Sequence, residues 1–364
     1  MKKPLLPLLA VLLIFSPVRS QEVIKNPDRP SSKNSGRIVK LERLLSIKGA
    51  GPNDLFRGPY DIQVGNDGSI YFYDYFEFYK FSPEGKFLFK VVRPGQGPGE
   101  AQMKTVAAVT DDQIIIQAWS PPKVMWFDQS GNLKDEKRME QPQRLSCLFP
   151  AVDSLYGFDE GEITFSPDIK EGYMDVPTTL FEITPDVKRI VAKTSFPIQN
   201  YMLQGGGAWF QSLFLEYVLK GEDTLFISHT VDYKLVKYDL KLNTIKSTFG
   251  RKYQRVARPE EKRPPRRPGA MEAPRSKYFV DISTLLIYGD RLWVVTSTRD
   301  PQQNRLVDVY DLVGHYLDNF FLQYPEGISH DSFYRNVALR GDRLYSIDEE
   351  KDGTMSVNVY RIRN

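Results

Sequence analysis

Four side chains in this sequence have the chemistry of a hard-cation site: Asp74, Asp159, His229 and Asp348. Clustered carboxylates hold calcium, and an imidazole beside them widens the choice of metal. They lie far apart in the chain, so only a repeating fold could bring them together. A second candidate is the stretch "RPGQGPGEAQ" (Arg93–Gln102). A dinucleotide fingerprint needs G-x-G-x-x-G opening a helix, and a P-loop needs G-K-[ST]; here Pro98 and Glu100 stand where helix and cation are required. Its glycines and proline instead suit a sharp turn. Arg93, Gln96 and Glu100 remain candidate ligand contacts beside that turn. The sequence holds no G-x-S-x-G and no H-E-x-x-H, which excludes the usual serine-hydrolase and zinc-peptidase sites. His229, His315 and His330 have no ligand spacing, and His330–Asp331 reads as a solvent-exposed loop. Cys147, the only cysteine, sits in the apolar run "LSCLFPAV" and reads as a small buried hydrophobe.

A repeat supplies the elements that could position these groups. The stretch "DGSIYFYD" (Asp67–Asp74) recurs as "DQIIIQA" from Asp112, "DSLYGFD" from Asp153, "DTLFISH" from Asp223, "DRLWVVT" from Asp290 and "DRLYSID" from Asp342. Each copy has Asp, one variable residue (two in the first copy, Gly68 and Ser69), Ile or Leu, then a large apolar residue. An apolar run precedes each copy, and a strand–turn–strand pattern such as "YKFSPEGKFLFK" follows. The unit is therefore four short antiparallel strands, which cannot bury both faces alone. Six units stacked radially would close a ring. The last unit stops one strand short at Asn364, and the strand-like run Gly36–Gly49 is unassigned. We expect it to supply the missing outer strand and close the ring.

The first unit, "VGNDGSIYFYDYFEFYKFSPEGKFL", resembles an NHL-type repeat, with its DG-x-I-Y-x-x-D core and F-x-x-x-G-x-F turn. The chain from about residue 38 onward is similar to secreted bacterial six-bladed β-propeller proteins, whose G-x-G-P-G-E loop corresponds to Gly95, Gly97, Pro98, Gly99 and Glu100. That resemblance implies an all-β six-bladed propeller. It implies much less about activity. Six-bladed lactonases and related lyases place a metal at the central channel, which is the enzymatic alternative here.

Antiparallel connectivity sorts the loops. The Asp-led turns between first and second strands share one face with the turns between third and fourth strands. Loops between second and third strands share the other face with the connections to the next unit. This second face carries the long loops, where function concentrates. Asp74, Ala118, Asp159, His229, Thr296 and Asp348 hold equivalent positions there, at the ends of the second strands. A repeated Asp at such a position also has a structural role, accepting backbone N–H bonds in the adjacent turn. Candidate ligand contacts on this face are Asp74, Arg93, Gln96, Glu100, Trp209, His229, Arg299 and Asp348. No catalytic residue is assigned and no cofactor is expected, with calcium as the metal alternative.

Lys2 and Lys3 precede an apolar run, Leu5 to Phe15, and "SPVRS" follows, the layout of an export signal. The run is too short to span a bilayer. We expect residues 1–20 to be removed, residues 21–36 to form a disordered spacer and residues 37–364 to form the propeller, exported to the periplasm or beyond. The segment Arg251–Lys277 holds ten Lys or Arg and three Glu, among many prolines, in a chain whose net charge is +3. It reads as an extended, mobile insert able to dock on an anionic surface. Nucleic acid is not an expected partner of an exported protein. The expected function is non-catalytic binding of a protein, peptide or glycan by the long-loop face.

Overall fold

A computed structural model describes residues 21–363, apart from 52, 104, 141–142, 160–167, 207–208, 212, 260–275, 326–327 and 330–335. The chain is all-β; among the described residues the one helical element is a three-residue turn, Gln204–Gly206. Small antiparallel sheets follow one another along the sequence. The first two are four-stranded, Pro59–Val64 to Phe87–Val91 and Thr105–Val109 to Leu133–Arg138. The third runs from Phe149–Ala151 to Trp209–Gln211 and the fourth from Glu216–Lys220 to Thr244–Gly250. Nine further strands form one sheet, and two short two-stranded ladders, Gly49–Gly51 with Asp54–Leu55 and Arg93–Pro94 with Glu100–Ala101, lie in the connections. Each copy of the Asp-led pattern leads into a second strand, from Ile70–Asp74 in the first sheet to Arg343–Glu350 near the C-terminus.

Burial follows position within the sheet. The second strand of the first sheet, Ile70–Asp74, is buried at every residue, whereas its outer strand, Phe87–Val91, alternates. A strand covered on both faces needs no polar alternation, so the second strands read as continuous apolar runs. Successive sheets share apolar clusters. Tyr71 and Phe78 meet Met125 and Phe127; Val106 and Val124 meet Leu148 and Leu155; Phe158 and Phe196 meet Leu225 and Tyr238. Phe226 and Phe249 meet Leu292 and Tyr310, and Trp293 and Phe320 meet Leu344 and Tyr360. A further cluster joins the C-terminal strands to the first sheet, through Tyr345 and Val357 against Phe72 and Phe81. The result is a propeller-like arrangement of sheets packed face to face.

Polar ties supplement this packing. Lys80 lies 5.3 Å from the Tyr71 ring centroid and donates to the Gln129 carbonyl of the second sheet at 2.8 Å. Lys237, equivalent in the fourth sheet, lies over Phe226 and donates to the Leu312 carbonyl at 2.9 Å. Each lysine covers its own sheet's aromatic and grips the next sheet's outer turn.

The N-terminal run forms the strand Arg37–Ile47. It pairs antiparallel with the last strand, Met355–Arg363, and its first residues pair parallel with Tyr316–Gln323. The nine-stranded sheet is thus two groups of strands bridged by this one segment. The spacer expected to be disordered is corrected by the structure. Glu22–Lys25 adds in parallel to the outer strand of the fourth sheet, and Asn26 donates to the carbonyls of Gly250 and Gly314. An uncovered outer edge offers unpaired N–H and C=O groups, and even four residues can take them up.

The third sheet departs from its neighbours. Its third and fourth strands, Gly172–Ile183 and Ile190–Met202, run well past the end of the second strand at Phe158. Their far ends, joined by Trp209–Gln211 beyond Asn200–Met202, form a three-stranded arm on the long-loop face. Each of the two long strands carries a proline, Pro177 and Pro197, a residue that is uncommon inside a ladder. They lie directly opposite each other in the ladder.

Candidate functional site: the long-loop face

The long-loop face concentrates exposed apolar side chains. Of fourteen large hydrophobics exposed among the described residues, seven lie on it: Leu55, Tyr75, Phe76, Met103, Tyr173, Met174 and Phe214. All come from the first three sheets and the connections before and after them. Tyr75 and Phe76 pack edge to face at 4.4 Å in the loop after the second strand of the first sheet. Tyr75 holds φ 60° there, a left-handed conformation that turns the pair outward. On the opposite face the turns expose only Leu242 and Val313 of this class among the described residues. The two faces therefore differ in kind.

The carboxylates singled out from the sequence do not converge. Asp74 Oδ1 accepts the backbone N–H groups of Gly58 at 2.8 Å and Arg57 at 3.0 Å, so it caps the incoming connection and not its own turn. Asp159 Oδ1 accepts the Thr179 N–H at 2.8 Å. Asp348, buried, accepts from Ser346, and its Oδ2 accepts from Asn358 Nδ2 and the Tyr360 hydroxyl, both at 2.8 Å. Among the described residues no three His, Cys, Asp or Glu side chains gather in a metal-holding geometry. These groups fix connections between strands.

His229 is also buried. Its Nδ1 lies 3.1 Å from the Pro197 carbonyl, and its ring packs 5.3 Å from Phe196 under the arm. Burial holds its pKa below the ordinary 6.5, against the pull of the Pro197 carbonyl. A depressed folded pKa gives stability that is present above 6.5 and lost as pH falls through the folded value. Urea midpoints measured from pH 7 to pH 5 should fall more steeply for the wild type than for His229→Gln. Parallel curves would show that His229 does not carry this proton linkage.

The glycine-rich corner is satisfied by its own surroundings. Glu100 Oε2 accepts the Gly97 N–H at 2.9 Å, Glu136 accepts the Gly99 N–H at 2.9 Å, and Lys123 donates to the Gly97 carbonyl at 2.8 Å. The Lys123 side chain is only 1% exposed, so the corner is bolted to the second sheet. Gly95 has φ 155°, and a Cβ there would meet Glu100 Oε2 at 2.1 Å. Glu100 therefore holds the turn. Gln96 donates to Gln102 and is exposed, as is Arg93. Arg299 donates to Gln303 within its own loop. The Trp209 side chain, His330–Asp331 and residues 260–275 lie outside the described residues.

The start of the basic insert is not an extended mobile chain, which corrects the sequence reading. Arg251 donates from Nε to Asp308 Oδ2 at 2.9 Å, and its Nη2 makes an ion-pair contact with the same oxygen at 2.7 Å. Its guanidinium lies 5.0, 5.2 and 5.4 Å from the ring centroids of Tyr233, Tyr253 and Tyr316. The hydroxyls of Tyr233 and Tyr316 donate to the same carboxylate at 2.7 and 2.9 Å. Burial pushes the Asp308 carboxyl above its usual range, while Arg251 and these hydroxyls pull it back. Farther along, Ala257 bridges to Tyr278, and Arg258 lies 4.4 Å over the Phe279 ring. Both ends of the insert are thus built into the fold.

Inner strands line a partly open cavity of about 260 Å³, with Ile62, Ala108, Phe149, Tyr217, Leu285 and Val337 around it and Asp61 and Glu216 at its wall. Asp61 sits at a break in strand register with φ 56°.

No family model matches this chain, and no curated protein matches its sequence. Solved structures do. A Bacteroides fragilis protein named as exported superposes with TM-score 0.53 at 13% identity, over 94% of this chain and 99% of that one. The WD40 domain of Neurospora crassa Pan2 gives TM-score 0.45 at 12% identity, over 95% and 89%. A streptogramin B lyase gives 0.43 at 9%, over 89% and 97%. At such identities the likeness is one of fold alone: small antiparallel sheets in a propeller-like arrangement.

Proposed function

We propose that this chain is an exported six-bladed propeller, its ring closed by Arg37–Ile47, that binds a protein partner through the long-loop face without catalysing a reaction. The six-bladed reading is supported by the six copies of the Asp-led strand and by apolar clusters linking each group of strands to the next, the last to the first. Export is supported by the basic and apolar run before Gln21. The observation that carries the function is the set of exposed Tyr, Phe and Met side chains on one face. Aromatics and Met are enriched at protein interfaces and anchor them. A protein partner fits this surface better than a glycan, since Met103, Met174 and Leu55 offer no stacking plane. The metal-assisted hydrolase alternative needs Asp74, Asp159 and Asp348 gathered at one site, whereas each accepts hydrogen bonds from its own separate surroundings.

The test is capture from an envelope extract of the source cell by the mature chain. Tyr75→Ser with Phe76→Ser should lower capture at least tenfold, while Leu242→Ser with Val313→Ser on the opposite face should leave it unchanged. Equal loss from both, or from the second alone, would refute the assignment.

A further inference from the structure

Among the described residues, the underside of the arm holds buried polar groups without hydrogen-bond partners. Asn200 lies in its middle strand, with Met174 opposite on one side and Gln211 on the other. The residue is fully buried, and among the described residues neither Nδ2 nor Oδ1 has a hydrogen-bond partner. Thr178, 2% exposed on the neighbouring strand, has an unpartnered Oγ1 as well. Thr178 pairs with Phe196, and Phe196, Ile198 and Asn200 alternate onto one side of the same strand, so both groups belong to that side. Leaving an amide buried and unpaired is costly, and a leucine of similar volume would avoid the cost. Two such groups on one side of one element call for something outside the fold.

Access comes from the residue across the ladder. Met174 faces Asn200 directly and is 39% exposed. Its unbranched thioether swings easily, so the amide lies one mobile side chain from solvent. The chemistry of the missing partner follows from the amide itself. It offers donors and an acceptor in one plane. A carboxylate or an ammonium would pair with one half and leave the other unsatisfied. A second amide pairs with both.

We propose that the underside of the arm tip is a seat for a polypeptide amide, reached by displacing Met174 and read by Asn200. This seat rests on the reading of the long-loop face as a protein-binding surface, because Tyr173 and Met174 belong to that surface. It adds the chemistry: an uncharged amide, from a backbone or an Asn or Gln side chain, enters beneath the exposed aromatics.

The experiment uses the ¹⁵N-labelled mature chain with N-acetylglycinamide as probe, and acetate and methylammonium as charged controls. The side-chain amide signals of Asn200, identified by their loss in Asn200→Leu, should move saturably with N-acetylglycinamide and stay still with both ions. Unliganded Asn200→Leu and Thr178→Val should unfold at higher temperatures than the wild type, because each removes an unpaired buried group. No movement with the amide, equal movement with acetate, or a lowered midpoint in both variants would overturn the seat. Tyr75→Ser with Phe76→Ser separates the two readings. If it abolishes partner capture while Asn200 ignores the amide, only the seat fails. If capture survives it while Asn200 still responds, only the face assignment fails.

Discussion

Asp308→Ala should destabilise the protein by about 3–5 kcal/mol, read as a lowered urea midpoint with an unchanged slope. The carboxylate is completely buried and receives three hydrogen bonds, one each from Arg251, Tyr233 and Tyr316, beside the ion-pair contact of Arg251 Nη2. Removing it leaves a guanidinium, whose side chain is only 10% exposed, among three tyrosine rings with no counter-charge. An uncompensated buried charge is the costly outcome; removing both charges is not. The double variant Asp308→Leu with Arg251→Met should therefore recover most of the loss. Additive losses from the two single changes would mean that the pair is not coupled. The comparison also tests the foot of the basic insert, because Arg251 is its first residue.

Deleting residues 21–49 should yield insoluble protein or protein without a cooperative unfolding transition. Val39, Leu41 and Ile47 are buried in clusters shared with the C-terminal strands, and Val39 is 1% exposed. At about 1.5–3 kcal/mol for each buried side chain, these three alone contribute on the order of 5–9 kcal/mol. That is comparable with the whole stability of an ordinary domain, about 5–15 kcal/mol. The deletion also uncovers the last strand and the outer edge of Tyr316–Gln323, two edges open to pairing between molecules. The segment added back as a separate peptide should restore solubility. A soluble, cooperatively folding deletion would contradict the bridging role.

What the sequence made legible was whatever repeats. The Asp-led turn fixes where each second strand starts, and a run of buried residues follows it in every copy, so every copy could be found. The division into a short-turn face and a long-loop face followed from antiparallel connectivity alone. What escaped depended on single partners far away in sequence. Arg251 opens a basic, proline-rich run, so composition placed it in solvent; the opposing signal was an Asp inside the apolar strand "RLVDVYD", together with Tyr253 and Tyr233. Glu22–Lys25 is too short, and too close to Pro27 and Pro30, to read as a strand. The end-of-strand carboxylates were recognised as equivalent. Their direction was hidden, because Asp74 bonds to the backbone of Gly58, sixteen residues earlier in the chain.

Methionine oxidation footprinting tests the central claim most directly, that the long-loop face is where this protein meets its partner. Met103 and Met174 are exposed there at 48% and 39%, whereas Met125, in the core, is fully buried. The chain loaded with captured partner, pulsed briefly with peroxide and digested, should show Met103 and Met174 protected several-fold relative to the free chain, with Met125 unreactive in both. Undiminished oxidation of both exposed methionines in the loaded chain would contradict the account.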